Sequence, residues 1–359
     1  MPVDTTIHSP DTSIKVAQCL AGAEFGGAEN FYTRLVSALA EEPGIEQRAF
    51  TRDNAYRVPI LREAGVTVDT FRFGSPLNFI DHWRYKKALK AFDPDIVVTY
   101  MNRPSGLTPR GNYKLVCRLG HYYNLKYYRH ADYWVGISKG ICQHLIDGGM
   151  PREKVHYIPN FADETVVAPL DRNSFDTAGD GPVLLAAGRL HTNKGFDILV
   201  QALKGIPDAV LWLAGDGPER SALEQLAADT GVSSRIRFLG WRNDVAQLMR
   251  TADLFICPSR HEGLGSIVME SWFNQCPIIA TNSQGPGELI EDGVTGLVTP
   301  LDDVAALGSA IKQLIDKPRL AEQMVVQAYE HYQRYFSKSV IRQTYAEFFR
   351  QIIADRSRT

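Results

Sequence analysis

The chain of 359 residues is short of cysteine, of long apolar runs and of charge of one sign. Its five cysteines, Cys19, Cys117, Cys142, Cys257 and Cys276, form no C-x-x-C pair and have no histidines at metal-ligand spacing. That excludes a zinc module and a disulfide framework, and an odd count without a framework fits a reducing compartment. No apolar stretch approaches the roughly 20 residues that span a bilayer. Residues 1–13 are polar, with Pro2, Asp4 and Asp11, and lack the apolar core of a secretory signal. A formal net charge of -2 argues against a globally basic nucleic-acid binder. No strand pattern runs into G-x-G-x-x-G, which argues against a dehydrogenase. The expectation is a cytoplasmic protein, with a peripheral membrane contact left open.

What is present is an ordinary globular composition, 44% hydrophobic and 22% charged, in a chain longer than one core usually serves. Short β-branched runs alternate with helical patterns. Residues 14–20, 95–100, 113–117 and 133–137 read as strands, and 29–40 as the helix after the first of them. Around 166–182 the pattern lapses into Pro, Asp, Asn, Gly and Ser, as a linker does. It then resumes with strands at 183–187, 210–214, 236–239, 254–257 and 277–280, a helix at 304–315 and a long helical tail at 337–356. Strand–helix alternation predicts parallel sheets covered on both faces. The fold class is therefore α/β, with two doubly wound, Rossmann-like domains (1–165 and 178–337) facing a cleft. The last helix, from 338, returns to the first domain. Ligands of such sheets bind beyond the carboxyl ends of the strands.

Two segments carry chemistry there. In the first, a buried strand ends at Cys257 and leads through Pro-Ser-Arg-His into Glu262, Gly263, Leu264 and Gly265, with a helix starting near Ser266 and carrying Glu270. Amides at a fresh helix N-terminus suit a diphosphate, and glycines let the ligand approach the backbone. Glu262 and Glu270 would accept hydroxyl hydrogens of a sugar or ribose, although each carboxylate alone also reads as a solvated surface group. The second segment follows the first strand of the second half: Gly188-Arg189-Leu190-His191-Thr192-Asn193-Lys194-Gly195. A guanidinium grips phosphate oxygens bidentately and an ammonium acts as a point charge, so Arg189 and Lys194 could neutralise a diphosphate without a metal.

These elements resemble glycosyltransferase family 4: G-R-L-x-x-x-K-G from Gly188, A-G-D-G-P-E from Ala214, and E-G-L-G-x-x-x-x-E from Glu262 to Glu270. The Gly26-Gly27-Ala28-Glu29 loop, Ile158-Pro159-Asn160 and the stretch from Gly285 to Val298 extend the likeness over nearly the whole chain. The segment from Arg118 to Tyr128 is similar to bacterial enzymes of lipopolysaccharide-core synthesis. The resemblance implies a GT-B, retaining, metal-independent glycosyltransferase with no cofactor. Its substrate would be a UDP- or GDP-linked sugar, and its acceptor a glycan or glycolipid. It implies that Arg189 and Lys194 hold the donor diphosphate, that Glu270 binds ribose and that Glu262 binds the transferred sugar. Gly263, Leu264 and Gly265 would offer amides, Gly26 and Gly27 would close a loop over the phosphates, and His121 would lie near the sugar. Phe161 departs from the glycine the family often has after Pro-Asn.

Three further features keep two readings each or lean to the bland one. His121, with Tyr122 and Tyr123, is either a site residue or packing. Asp93-Pro94-Asp95 spells D-x-D but precedes a strand and reads as a turn rather than a metal site. The helical stretch His82–Phe92 is basic and aromatic, and reads either as a packed helix with a solvated lysine face or as a lipid-docking helix. Alternatives to the transferase are a GT-B-type epimerase or phosphorylase, and a non-catalytic two-lobed binding protein.

Overall fold

A computed structural model describes residues 13–24, 26–74, 78–177 and 181–355. The polar stretch 1–12, linker residues 178–180 and the tail beyond 355 lie outside the described residues. The chain divides into two compact units: residues to Pro159 together with those from Lys338, and Asn160–Ser337.

The first unit runs β1 (Ile14–Leu20), α1 (Gly27–Ala40), β2 (Ile45–Thr51), α2 (Arg57–Glu63), β3 (Thr67–Thr70), α3 (Phe79–Phe92), β4 (Ile96–Tyr100), α4 (Asn102–Leu107), β5 (Lys114–Leu119), β6 (Tyr133–Gly136), α5 (Lys139–Asp147) and β7 (Val155–Tyr157). Its strands form one sheet in the order β3-β2-β1-β4-β5-β6-β7, and every pair is parallel. The order reverses at β1, the switch point of a doubly wound fold, so the loops after β1 and β4 flank a crevice at the strands' carboxyl ends. The central strands are apolar on both faces, β4 being buried throughout. Edge strands β3 and β7 are only partly covered, at 4 and 3 residues, and too short to show an apolar run in the sequence.

The Asp93-Pro94-Asp95 segment is a helix-to-strand turn. Asp93 caps α3 in the left-handed conformation, φ 49°, and the Asp95 carboxylate accepts the Lys15 N–H at 2.8 Å. This lies at the amino end of the sheet. On α3, Tyr85, Leu89 and Phe92 are buried, while Phe79, Ile80 and Trp83 are 73%, 75% and 61% exposed.

The second unit comprises β8 (Val183–Ala187), α6 (Phe196–Ala202), β9 (Val210–Ala214), α7 (Arg220–Asp229), β10 (Ile236–Gly240), α8 (Val245–Thr251), β11 (Leu254–Cys257), α9 (Ser266–Phe273), β12 (Ile278–Thr281), α10 (Gln284–Leu289), β13 (Leu297–Thr299), α11 (Val304–Asp316) and α12 (Pro318–Tyr335). Its parallel sheet has the order β10-β9-β8-β11-β12-β13, with the switch between β8 and β11. Residues 160–165, placed by the sequence pattern in the first domain, group with this unit. Asn160 Nδ2 donates to Ser266 Oγ at 3.3 Å, and the Ala162 N–H donates to Tyr332 Oη at 3.1 Å. Phe161 is buried at 3% exposure, so a large apolar side chain fits where the family often has glycine.

The final helix, α13 (Lys338–Ala354), belongs to the first unit. Its Phe348 ring packs 4.6 Å from His156 of β7, and Tyr345 Oη accepts from Arg118 Nε at 3.1 Å. Lys338 and Arg342 pair with Glu41 beyond the end of α1. Burial holds the His156 imidazole below its ordinary pKa, so the uncharged ring is the form that suits this apolar contact. All five cysteines are free, and burial pushes Cys257 up to about 11 and Cys19 to about 12, so neither is a thiolate at neutral pH.

Candidate functional site

The sites expected from the sequence fall at the carboxyl ends of the strands in both units. In the second unit, the chain leaves β8 through Gly188 and Arg189 and makes one 3₁₀ turn over Thr192–Lys194 before α6 begins. Lys194 Nζ meets Glu262 Oε2 at 2.5 Å, with the two side chains 28% and 21% exposed. Burial works against the ammonium, but the charge of Glu262 and its hydrogen bond outweigh it, so the Lys194 pKa lies above its ordinary value. Lys194 is therefore a fixed cation, not a titrating base. Its stem runs beside Gly188, where a Cβ would stand 3.5 Å from Lys194 Cε. This brings the β8 exit, with exposed Arg189, next to the pair. Among the described residues Arg189 makes no hydrogen bond or ion pair.

The two loops are tied together by a residue whose role the sequence does not reveal. Arg260 donates to the Thr192 carbonyl at 2.7 Å and, through its N–H, to the Asn193 carbonyl at 2.8 Å. It also grips Asp197 bidentately at 2.9 and 2.7 Å and Asp302 at 2.6 Å. The hydrogen bonds it donates to Asp197, chiefly, hold its guanidinium firmly protonated. Asp197 lies 63 positions away, so no local pattern announces the pairing. Arg260 is a positioning residue: it fixes the backbone from which Lys194 and Glu262 project.

Close backbone contact accounts for two glycines here. Gly195 has φ 63°, and a Cβ on it would overlap the Pro258 carbonyl, so the loops after β8 and β11 meet main chain to main chain. Likewise a Cβ on Gly215 would overlap the Gly188 carbonyl oxygen. That contact is accompanied by Gly188 N–H to Ala214 O at 2.9 Å and Leu190 N–H to Asp216 O at 3.0 Å. The A-G-D-G-P-E turn thus braces G-R-L from behind.

Gly263 is half-buried, Leu264 is 4% exposed, and Gly265 caps α9 with φ 74° and ψ 48°. Glu262 is bonded across to the start of α10, its carbonyl accepting from Gly285 N at 2.8 Å. Glu270 is half-buried on the second turn of α9, and its carbonyl accepts from the Asn274 N–H at 3.0 Å. Gly265, three residues after Glu262, ends the loop where α9 begins, so the carboxylate and the first amides of the helix follow one another in a succession that suits an anion carrying hydroxyl groups.

In the first unit, Gly26 precedes α1 and Gly27 begins it, two residues earlier than the helical pattern suggests. Glu29, 5% exposed, folds back over this loop, and its Oε1 accepts from the Ala23 N–H at 2.7 Å. Buried Arg57 donates to the Ala23 carbonyl at 2.8 Å. His121 follows β5, which runs two residues further than expected, and is exposed. Its ring lies 6.1 and 5.8 Å from those of Tyr122 and Tyr123. Burial, then the charge of Glu29, raises the Tyr123 pKa, which places the Glu29 loop and the β5 exit in one electrostatic neighbourhood. Among the described residues no group of three or more metal-ligating side chains is assembled.

Two Rossmann-like units with polar loops at their strand ends define a GT-B fold. The model for "Glycosyl transferases group 1" matches residues 168–331, and that for "Glycosyltransferase Family 4" matches 25–166. The chain is similar to the lipopolysaccharide core biosynthesis glycosyltransferase LpsE of Rhizobium meliloti (strain 1021), at 35% identity over 90% of this chain and 95% of the relative. It is similar to LpsD of the same organism at 33%, over 96% and 100%. Among solved structures, a glycosyltransferase from Rickettsia africae ESF-5 superimposes with a TM-score of 0.85 at 20% identity, covering 96% of this chain and 99% of that one. The chain belongs to glycosyltransferase family 4. It is a glycosyltransferase.

Proposed function

We propose that this glycosyltransferase moves a sugar, with retention and without a metal, from a UDP- or GDP-linked donor to a glycan or glycolipid. The proposed setting is lipopolysaccharide-core or related cell-surface polysaccharide synthesis. The observation that carries this reading is the Lys194–Glu262 pair beside exposed Arg189 at the β8 and β11 exits. The names of the relatives LpsE and LpsD support the acceptor class. Lys194, Arg189 and the first amides of α9 would stabilise charge growing on the diphosphate as the bond from the anomeric carbon to the phosphate oxygen breaks. The bonding pair leaves with the diphosphate. The acceptor hydroxyl attacks the same face, and its proton passes to the departing phosphate oxygen, so no protein nucleophile is assigned. Glu262 and Glu270 would hold sugar and ribose hydroxyls, and His121 with the Gly26–Gly27 loop would serve the transferred sugar and phosphates. A thermal-shift screen of UDP, GDP, ADP and CMP, with and without EDTA, tests donor and metal together. UDP or GDP should raise the melting temperature equally in both conditions; a shift abolished by EDTA would refute metal independence.

We also propose peripheral contact of the enzyme with anionic membrane. Phe79, Ile80 and Trp83 are exposed at one end of α3 and Lys86, Lys87 and Lys90 along the rest of it, and Lys87 Nζ lies 5.1 Å from the Trp83 ring centroid. Apolar side chains beside several lysines suit a lipid surface of negative charge. Among the described residues no helix is long and apolar enough to cross a membrane. Flotation with phosphatidylglycerol-containing vesicles should recover the protein, while pure phosphatidylcholine should not. At about 1 kcal/mol per lysine, Lys86→Gln with Lys87→Gln should weaken recovery roughly thirtyfold. Unchanged flotation of that variant would exclude α3 as the contact.

A further inference from the structure

The first unit carries a cluster of arginines that the donor chemistry does not use. A cavity of 380 Å³ opens at the carboxyl ends of β2 and β3, lined by Arg52, Arg72 and Arg84 with Thr70 and the carboxylates of Asp53 and Asp81. Arg52 follows β2 directly and donates to the carbonyls of Arg72 and Phe73 at 3.0 and 3.3 Å. Arg103, from α4, donates to the same Phe73 carbonyl at 3.1 Å. Two guanidinium groups thus share one oxygen, and among the described residues neither has a carboxylate partner. Burial, then the nearby charge of Arg103, lowers the Arg52 pKa, the sign of a cation lacking a counter-charge. Arg72 is exposed, and among the described residues its side chain has no polar partner. Among the described residues the Arg84 side chain meets the Phe71 ring, 5.9 Å from its guanidinium carbon, and no polar partner.

The two carboxylates do not satisfy these cations. Asp81 is 5% exposed and accepts the backbone N–H groups of Arg72 at 3.0 Å and Phe73 at 2.8 Å. Its task is to hold the chain at Phe73, where φ is 44°. Asp53 is exposed at the rim and makes no ion pair among the described residues. Three lining guanidinium groups against two carboxylates, with Arg103 beside Arg52 at the Phe73 carbonyl, leave a net positive hollow at the end of a parallel sheet where ligands bind. Arginine forks suit the oxygens of a phosphoryl group.

We infer that Arg52, Arg72 and Arg84 form a binding site for a phosphoryl group carried by the sugar acceptor, with Arg103 adding positive charge beside Arg52. The inference rests on the glycosyl-transfer reading for the identity of the carrier, and on this geometry for the anion. The site would select acceptors already phosphorylated near the accepting hydroxyl, which places a sugar-phosphorylating reaction before this transfer.

The test is calorimetric titration of glucose 6-phosphate, with glucose as the uncharged control. Arg72→Gln and Arg84→Gln alter exposed side chains without polar partners among the described residues, so folding should survive; Arg52→Lys keeps a charge where glutamine could disturb the Phe73 turn. Wild type should bind glucose 6-phosphate and not glucose. Arg72→Gln with Arg84→Gln should weaken binding at least tenfold, Arg52→Lys should weaken it less, and Lys194→Met should leave it unchanged. The thermal shift with nucleotide should be the same in wild type and all the arginine variants. Equal binding by wild type and the double variant, or loss only in Lys194→Met, would overturn the inference while leaving the donor reading standing. Loss of the nucleotide response in wild type would strike the donor reading alone. Binding to phosphatidylglycerol vesicles that depends on Arg72 and Arg84, without affinity for glucose 6-phosphate, would assign the hollow to a lipid headgroup and overturn the sugar-phosphate proposal.

Discussion

Replacing Lys194 with methionine is expected to lower kcat by about 10²- to 10³-fold, the usual effect of removing one preorganised group from developing negative charge. Methionine keeps an unbranched stem to lie beside Gly188 and removes only the ammonium. Glu262 loses its 2.5 Å partner, but at 21% exposure it can recruit water, so the melting temperature should move by no more than a few degrees. Because the Lys194 pKa lies above its ordinary value, the wild-type rate should show no loss from this group until the pH passes about 10.5. Initial rates at saturating donor, with a melting curve beside them, check both halves. A kcat within threefold of wild type would mean that the cation stabilises the loop and not the leaving group.

Gly195→Ala should be a strongly damaging single methyl in the second unit. The residue sits at φ 63°, and its Cβ would overlap the Pro258 carbonyl. A left-handed non-glycine residue costs about 1–2 kcal/mol and overpacking about 1–3 kcal/mol, so a loss of roughly 2–5 kcal/mol is expected. That corresponds to a fall in melting temperature of roughly 5–15 °C for a unit of this size. Activity should fall as well, since the methyl pushes apart the loops that carry Lys194 and Glu262. Gly205→Ala is the control: a Cβ there meets nothing within 4 Å, and the variant should melt within about 1 °C of wild type. If Gly195→Ala melted with that control, the main-chain contact between these loops would not be a constraint on the fold.

Much of the scaffold was legible because buried parallel strands are apolar on both faces. Expected strands at 14–20, 183–187, 210–214 and 254–257 coincide with β1, β8, β9 and β11. β2 escaped notice because buried Gln47 interrupts it, satisfied by a hydrogen bond from Gln18 Nε2 at 2.8 Å and its own bond to the Val36 carbonyl at 2.9 Å. Edge strands β3 and β7 bury too little to leave a run. At the candidate site, the residue types and their loops could be read from spacing, since glycines and charges sit next to strand ends. What could not be read was pairing. Lys194 with Glu262, Arg260 with Asp197, and Arg52 with the Phe73 turn join residues far apart in the chain, and only the folded strand order brings them together. The sequence reading places both Arg189 and Lys194 at the β8 exit; what the fold adds is that Arg189 is exposed and Lys194 is paired with Glu262.

The central claim is that the β8 and β11 exits bind a diphosphate through Lys194 and Arg189. Its most direct test is calorimetry of the preferred nucleoside diphosphate and of the matching nucleoside on wild type, Lys194→Met and Arg189→Gln. The account predicts that each variant weakens the diphosphate at least tenfold and leaves the nucleoside unchanged. Diphosphate affinity that survives both substitutions would contradict it.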